Sequence, residues 1–130
     1  MCIRDSYITG RMTHVFGLAT LLGTPGAREL AAHGVQALRS GPLHDAEHGG
    51  WLAAVGAGAD DDTKAAYVHA FVVLAGATAT TAGISGGREL LDEALEVWEQ
   101  RFWDDDEGLA RESFDRAWTC LLYTSDAADE

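Results

Sequence analysis

Apolar residues recur three and four positions apart in the first third of the chain, a spacing typical of amphipathic helices. It predicts a helix over residues 7–22, which Gly23 is suited to end. Thr24 as an N-cap and Pro25 at the first helical position predict a second helix that runs to Arg39. The predicted inward stripes are Ile8, Met12, Val15, Phe16, Ala19 and Leu22 in the first helix and Leu30, Ala31, Gly34 and Leu38 in the second. The two helices would form a hairpin.

The sequence repeats itself at an offset of 60 residues, which predicts a second hairpin. The segment GTPGAREL that begins at Gly23 aligns with GISGGREL, which begins at Gly83. In this second unit we expect one helix over residues 64–82 and another that begins at Ser85, with a turn and a short strand over residues 49–55 before them. The predicted caps of the first of these helices are Asp62 or Thr63, and the predicted stripe of the other is Leu91, Leu95, Trp98 and Phe102.

Charged residues separate the helices into two kinds. Arg11 is the only Lys, Arg, Asp or Glu between Ile8 and Leu22, and residues 65–82 contain none, whereas the second helix of each hairpin has a charged face. A helix that is apolar on all sides is buried, and an amphipathic one lies at the surface. The pattern therefore predicts an all-α protein of inner and outer helices, as in an α/α toroid or a helical solenoid. Two hairpins leave inner helices uncovered, so we expect a fragment of a larger array.

Composition excludes several classes of function. The chain has 9 Lys and Arg against 21 Asp and Glu, and this net charge of −12 argues against binding to a nucleic-acid backbone. No apolar run approaches the ~20 residues of a membrane-spanning helix. The N-terminus lacks the apolar core of a signal peptide. We expect a cytoplasmic protein with no nucleic-acid partner and no membrane association.

Both ends of the chain are predicted to be foreign to the protein. Met1–Ser6 can be encoded by ATGTGTATAAGAGACAG plus one base, and residues 120–125 by TGTCTCTTATACACATCT. If the codon of Thr119 ends in C, the second string is the reverse complement of the first, extended by two bases. This inverted repeat resembles the adapter of transposon-made sequencing libraries. We therefore expect residues 1–6 and 120–130 to be adapter scars and residues 7–119 to be the biological part, which has no cysteine and hence no disulfide or thiolate chemistry.

Three acidic or histidine-rich segments are candidates for metal sites, and each has a simpler interpretation. Residues 44–48, HDAEH, match the H-x-x-E-H zinc motif, but the flanking Pro42 and Gly49 indicate a loop rather than the helix that the motif needs. Residues 60–62 are three aspartates at a predicted helix start, where they favour capping. Residues 104–107 match a calcium loop poorly and favour a solvated turn. We expect no metal.

Arg11 is the most specific candidate for a functional residue in this sequence. A lone arginine on an apolar inner helix needs an acceptor, which is either a carboxylate or a polar cavity whose ligand has vicinal oxygens. Tyr67 and Phe71 share a helix face, and Phe71 aligns with Arg11 in the repeat, so we expect these residues to converge. His69 lies on the same uncharged helix, where a hydrogen-bonded core histidine is the default interpretation. His14 is three residues from Arg11 and is explained equally well by core packing.

Several motifs together resemble the N-acylglucosamine 2-epimerase superfamily, and most closely its aldose–ketose isomerase branch of mannose and sulfoquinovose isomerases. They occur in the order and with the spacing of that family and cover nearly all of residues 7–118. The matching segments are GRMTHV from Gly10, PG at Pro25, EHGGW from Glu47, KAAYVHAF from Lys64 and RFW from Arg101.

The resemblance implies an (α/α) barrel of six helical hairpins, of which this chain would supply two from the N-terminal half. It implies a monosaccharide substrate bound among the inner helices by residues matching Arg11, Tyr67 and His69, and no cofactor. The repeat and the face shared with Tyr67 add Phe71 to the expected substrate-binding residues. It also implies proton transfer between C1 and C2 through a cis-enediol. The histidine pair and glutamate assigned to that step match no position up to Trp118, so we expect none of the catalytic residues here and an inactive fragment.

Two other functions stay open at this stage. A 2-epimerase of the same superfamily differs from an isomerase in segments that this sequence does not include. A non-catalytic helical-repeat module for protein binding would have a polar terminal face, whereas residues 8–22 are apolar. The sequence makes no prediction of oligomeric state.

Overall fold

The described part of the computed structural model, residues 4–56 and 60–119, forms four α-helices that alternate with turns and very short strands. The helices are α1 (Ser6–Leu21), α2 (Ala27–Ser40), α3 (Ala66–Thr81) and α4 (Gly87–Val97), and a π-helical segment, Trp98–Phe102, continues α4. The strands are β1 (Arg4–Asp5), β2 (Ala54–Val55), β3 (Lys64–Ala65), β4 (Trp103–Asp104), β5 (Leu109–Ala110) and β6 (Ser113–Phe114). They pair antiparallel as β1–β2, β3–β6 and β4–β5.

The predicted pair of helical hairpins is confirmed. Helices α1 and α3 start and end 60 residues apart, as do the starts of α2 and α4. Helix α1 packs against α2 and α3, and α3 packs against α4. Strands β1 and β3 directly precede α1 and α3, and strand β4 directly follows the π-helical segment. None of the helices in residues 4–56 and 60–119 is long and apolar enough to cross a membrane.

The predicted ends of the inner helices are correct. The Thr24 amide donates to the carbonyl of Ala19 at 3.0 Å, and the Gly23 amide donates to the carbonyl of Thr20 at 3.0 Å. This pair of bonds satisfies carbonyls that the last helical turn would otherwise leave free. The Gly83 and Ile84 amides make the same pair of bonds at the end of α3, at 3.1 and 2.9 Å.

The predicted starts of the outer helices are wrong by two residues. Helix α2 begins at Ala27 rather than at Pro25, because Gly26 precedes it with φ of +81°, a left-handed conformation that interrupts the helix. The Thr24 carbonyl accepts from the Ala27 amide at 3.3 Å, which makes residues 24–27 a turn. Helix α4 likewise begins at Gly87 rather than at Ser85.

The predicted cap of α3 by Asp62 or Thr63 is also wrong. The chain runs as a strand through Lys64 and Ala65, which pair with β6, and the Ala66 amide donates to the Glu112 carbonyl at 2.8 Å. The free amides of this helix start are thus partly satisfied by a segment almost 50 residues further along, which local sequence cannot indicate. Asp60 and Asp61 instead accept from the amides of Gly56 and Thr63 within their own loop.

Helix α1 begins at Ser6, one residue before the predicted start. The Asp5 carboxylate caps it by accepting from the amides of Tyr7 and Ile8 at 2.8 and 3.2 Å. The buried Ser6 hydroxyl donates to the Leu52 carbonyl at 2.6 Å. Asp5 and Ser6 belong to the segment predicted to be an adapter scar, and that origin stays a prediction. Residues 1–3 of this segment and all of the other end segment, residues 120–130, lie outside the described residues.

The core lies between the inner and outer helices. Its fully buried members include Ala31, Val35, Leu38, Trp51, Val72, Ala75, Ala79, Leu90 and Ala94. The predicted stripes are partly wrong. Leu30 and Leu95 are exposed, and the buried positions are Val35 and Leu90 instead. On α1 the predicted stripe faces solvent at Ile8, Met12, Val15 and Leu22, because neither hairpin formed by residues 4–56 and 60–119 covers that side of the helix.

Candidate functional site

Arg11 lies at the exposed surface of α1 and contacts Tyr7 in two ways. Its Nη1 donates to the Tyr7 hydroxyl at 2.7 Å, and its guanidinium carbon lies 5.1 Å from the centroid of the Tyr7 ring. The ring face favours the cation, and the hydroxyl fixes one edge of the guanidinium fork. The partner is a hydroxyl rather than a carboxylate, and within residues 4–56 and 60–119 the other donors of Arg11 have no hydrogen-bond partner. These donors can therefore bind oxygen atoms of a ligand.

Tyr7 joins Arg11 to the aromatic residues of α3. Its ring packs edge-on against Tyr67 and Phe71, with centroid distances of 5.7 and 4.8 Å. Arg11 is thus linked to Tyr67 and Phe71 through Tyr7, at the N-terminal halves of the two inner helices. Tyr7 was not predicted to be a member, although its alignment with Tyr67 in the repeat was the available signal. We call these four residues the Arg11 cluster.

The Arg11 cluster offers two kinds of recognition. Tyr67 is 60 % exposed and presents a ring face and a hydroxyl. Arg11 presents charged donors that suit pairs of vicinal oxygens. A group that carries several hydroxyls on an apolar C–H framework would match both surfaces, which is the chemistry of a sugar.

His69 lies away from this cluster, in the core on the other side of α3. Its Nε2 accepts from the Trp51 amide at 3.0 Å and its Nδ1 bonds to the Ala65 carbonyl at 2.8 Å. An imidazole that accepts at one nitrogen and donates at the other is neutral. Burial, with a smaller contribution from the charge of Lys64, lowers the pKa of His69 to about 4 despite the bond to Ala65. These contacts are those of a core histidine, and contact of His69 with a substrate stays a prediction.

Asp45 is the centre of a buried ion network that the sequence analysis did not identify. Lys64 Nζ donates to its carboxylate at 2.8 Å, and both side chains are fully buried. Arg116 donates to both carboxylate oxygens at 3.1 Å. Burial alone would raise the pKa of Asp45, but the bonds from Arg116, Lys64 and two backbone amides outweigh it and hold the pKa well below its usual range. The residues are too far apart in sequence for spacing to have revealed the network.

Trp118 closes the network from the side. Lys64 Nζ lies 4.4 Å from the centroid of its ring, and Arg101 lies 5.1 Å from the same ring. Its Nε1 donates to the His48 carbonyl at 2.7 Å. Gly50 lies directly under the ring, where an added Cβ would be 2.7 Å from a Trp118 carbon. The loop that contains residues 43–53 is thereby held against the segment over residues 113–119.

The interpretation of residues 44–48 as a polar loop is confirmed. His44 bonds to Glu93 of α4, and His48 lies 3.5 Å from Asp45, so the two histidines do not converge. Within residues 4–56 and 60–119, no three His, Cys, Asp or Glu side chains are placed to hold a metal ion. Residues 104–107 form an exposed turn in which Asp104 accepts from two backbone amides, as predicted. His14 bonds to Thr78 of α3 at 2.6 Å.

Comparison with known proteins identifies the family. The sequence pattern of N-acylglucosamine 2-epimerase (GlcNAc 2-epimerase) matches residues 3–129. D-mannose isomerase of Thermobifida fusca is 55 % identical over 115 residues, which are 87 % of this chain and 28 % of that protein. This chain thus spans little more than a quarter of that relative.

Solved structures agree with the fold. A crystal structure of D-mannose isomerase has a TM-score of 0.78 at 27 % identity, over 89 % of this chain and 30 % of that one. Cellobiose 2-epimerase from Spirochaeta thermophila has a TM-score of 0.79 at 28 % identity, over 91 % of this chain and 30 % of that one. The predicted fold class, two hairpins of an α/α barrel, is confirmed. The chain belongs to the N-acylglucosamine 2-epimerase family.

Proposed function

We propose that the chain is part of an aldose–ketose isomerase that acts on mannose-type monosaccharides in the cytoplasm. The observation that carries this proposal is the Arg11 cluster, in which the exposed side chains of Arg11 and Tyr67 lie with the partly buried rings of Tyr7 and Phe71 where two inner helices meet. The 55 % identity to a D-mannose isomerase supports the choice of substrate.

In this proposal the Arg11 cluster binds the sugar and orients it. Arg11 donates to two neighbouring sugar oxygens, and Tyr67 and Phe71 pack against the C–H face of the ring or of the open chain. The role expected of His69 in lining the pocket would be exerted through the backbone of Trp51, which His69 holds. No metal or other cofactor is needed to bind an uncharged polyol in this way.

The chemical step that we propose is a proton transfer between C1 and C2. A base removes the proton from C2 of the open-chain aldose while O1 is protonated, which gives a cis-enediol. The proton on O2 then leaves as C1 is protonated, which gives the ketose. We place the histidine pair and the glutamate for this step outside these 130 residues, so we expect no turnover from the chain alone.

A chimeric enzyme tests the proposal. The segment of Thermobifida fusca D-mannose isomerase that matches this chain is replaced by the corresponding residues of this chain, and mannose–fructose interconversion is measured. We expect the chimera to turn over mannose and the chain alone to give no more than the blank. Replacing Arg11→Ala in the chimera should reduce kcat/KM by about 100-fold or more, because a positioning contact is lost.

Arg88→Ala is the matched control, since Arg88 lies on the outer helix α4 with an exposed partner, Asp92. We expect that variant to keep full turnover and both variants to keep the helical circular dichroism of the parent chimera. Equal turnover of the Arg11→Ala and Arg88→Ala chimeras would contradict a sugar-binding role of Arg11. A chimera that epimerises cellobiose or an N-acylated hexosamine and leaves mannose unchanged would favour the 2-epimerase alternative.

A further inference from the structure

Residues 51–55 form a short segment between the chain that leads into α1 and the chain that leads into α3, and we call this segment the spacer. On one side the Ala53 carbonyl accepts from the amide of Ser6, the first residue of α1, at 3.0 Å. On the other side the Ala53 amide donates to the carbonyl of Thr63, just before α3, also at 3.0 Å. Both bonds join backbone atoms, so they do not depend on the side chain at position 6. One residue thus bridges the starts of both inner helices.

Strand pairing extends this bridge on both sides of the spacer. Ala54 pairs antiparallel with Asp5 of β1, and it also pairs antiparallel with Asp61, whose amide donates to the Ala54 carbonyl at 2.9 Å. Neighbouring strands lie about 4.8 Å apart, so the spacer holds the two leading segments about 10 Å apart. The separation of the helix starts is therefore set by a segment that belongs to neither helix.

The first turns of α1 and α3 contain two of the aromatic residues of the Arg11 cluster. Tyr7 directly follows Ser6, and Tyr67 directly follows Ala66, the first residue of α3. The two tyrosine rings meet edge-on at a centroid distance of 5.7 Å. The Tyr7 hydroxyl accepts from Arg11. A change in the separation of the helix starts would therefore move Tyr7, and with it the guanidinium of Arg11, relative to the rings of α3.

Close packing holds the two inner helices together at a different level. An added Cβ at Gly10 would lie 3.1 Å from the Phe71 carbonyl oxygen, and His14 bonds to Thr78 at 2.6 Å. These contacts lie at or beyond the second turn of α1, whereas the spacer bonds to the first residue of that helix. The spacer is therefore placed to position the first turn.

Trp51, at the start of the spacer, anchors it to two helices. The Trp51 side chain is fully buried, and its Nε1 donates to the Leu38 carbonyl near the end of α2 at 2.6 Å. The Trp51 backbone amide donates to His69 Nε2 at 3.0 Å. His69 lies in the first turn of α3, and the bond from its Nδ1 to the Ala65 carbonyl holds the imidazole in one orientation. The position of the spacer relative to α3 thus depends on His69.

We propose that His69 is a positioning residue for sugar binding, which acts by holding the Trp51 amide and, through the spacer, the position of Tyr7 relative to Phe71. This inference rests on the sugar-binding role proposed for the Arg11 cluster. Without an acceptor at position 69, the Trp51 amide would lose its partner, and a buried amide without a partner is costly, so the spacer would shift. The Arg11 donors and the rings of α3 would then no longer converge on one ligand.

Substitution of His69 in the chimeric enzyme tests this role. His69→Leu removes the acceptor, whereas His69→Gln keeps one, because its amide oxygen can lie near the position of Nε2. We expect His69→Leu to raise the Kd for mannose, measured by calorimetry, about tenfold and His69→Gln to stay within about twofold of the parent. If His69→Leu loses its helical circular dichroism, Trp51→Phe, which removes the bond to Leu38, replaces it and is subject to the same criteria.

Leu90→Ala is the matched control for a loss of stability. Leu90 is fully buried near the start of α4, and α4 begins against Ala79, at the end of α3 opposite the spacer. We expect this variant to have a lower thermal midpoint, because it leaves a cavity, and an unchanged Kd for mannose. If Leu90→Ala raised the Kd as much as His69→Leu does, the lost affinity would follow from lower stability alone, and the inference would be wrong.

Crystal structures of the chimeras separate this inference from the proposed function. We expect the ring centroids of Tyr7 and Phe71 to lie farther apart than 4.8 Å in His69→Leu and to return to this distance in His69→Gln. An unchanged distance in His69→Leu, or a mannose hydroxyl bonded to His69 in the parent, would overturn the inference. If Arg11→Ala left the Kd unchanged, the sugar-binding role of the Arg11 cluster would fail, while a displaced Tyr7 in His69→Leu would still support the positioning role.

Discussion

Acidification should destabilise the fold through His69. This residue is neutral in the folded chain because its Nε2 accepts from the Trp51 amide and its Nδ1 bonds to the Ala65 carbonyl. Its pKa is lowered, mainly by burial, from the ordinary value of 6.5 to about 4. Between these two pH values the unfolded chain binds a proton at this position and the folded chain does not. The free energy of unfolding therefore falls as the pH falls from 6.5 to 4, and the His69 contribution is constant below that window.

The size of the effect follows from the shift. Each pKa unit corresponds to 1.36 kcal/mol, so a change from 6.5 to about 4 removes about 3 kcal/mol across the window. That loss is a large fraction of the 5–15 kcal/mol typical of small folded domains, so it should be evident as a shift of the unfolding midpoint.

Urea unfolding, followed by far-UV circular dichroism at several pH values across the window, measures this dependence. His69→Gln removes the titrating group and keeps a side chain that can bond to the backbone, so it is the reference. We expect the variant to be less stable at neutral pH and less sensitive to acid. The difference between the two slopes isolates His69, because the other histidines and all carboxylates are present in both proteins. Parallel pH profiles of wild type and variant would refute the assignment of His69 as a buried neutral group.

Two further predictions concern the loops that contain Asp45 and Gly50. Asp45→Asn should lower the free energy of unfolding in urea by about 3–5 kcal/mol, because Lys64 would stay buried without its counter-ion. Adding Lys64→Met should recover part of this loss. If the effects of the two substitutions were strictly additive, the pairing would be contradicted. Gly50→Ala should cost about 2 kcal/mol or more, because φ is +78° and the new Cβ would collide with Trp118. Gly49→Ala is the control, because φ is +82° and nothing lies within 4 Å of the new Cβ, and it should cost only about 1 kcal/mol of unfolding free energy. If Gly49→Ala and Gly50→Ala lowered the stability equally, the contact of Gly50 with Trp118 would be unimportant.

The parts of the fold that depend on local spacing were predictable. The repeat predicted two hairpins, and Gly23 marked the end of the first inner helix correctly. The starts of the outer helices were misplaced because Thr24 and Pro25 have the composition of a helix start, whereas the left-handed conformation of Gly26 delays the helix. The stripe of α4 was assigned as if the helix stayed regular, but the π-helical segment changes the phase of the residues that follow and turns Phe102 into the core.

The candidate functional residues likewise include some that sequence spacing reveals and others that it does not. Arg11, Tyr67 and Phe71 were found because a charge on an apolar helix and the register of the repeat are visible in sequence. Lys64 was not singled out, although it is fully buried, because its partner Asp45 lies 19 residues away in a loop. No periodicity connects two loops that meet only after the helices have packed.

The ion network at Asp45 also bears on the order of folding events. Arg116 is 71 residues from Asp45, so their bond closes a long segment of chain and repays its entropic cost only after both hairpins have formed. Contacts that form after the rate-limiting step slow unfolding and have little effect on the folding rate. We therefore expect the network to slow the unfolding of the loops that contain Asp45 and Arg116 and to leave the folding rate almost unchanged.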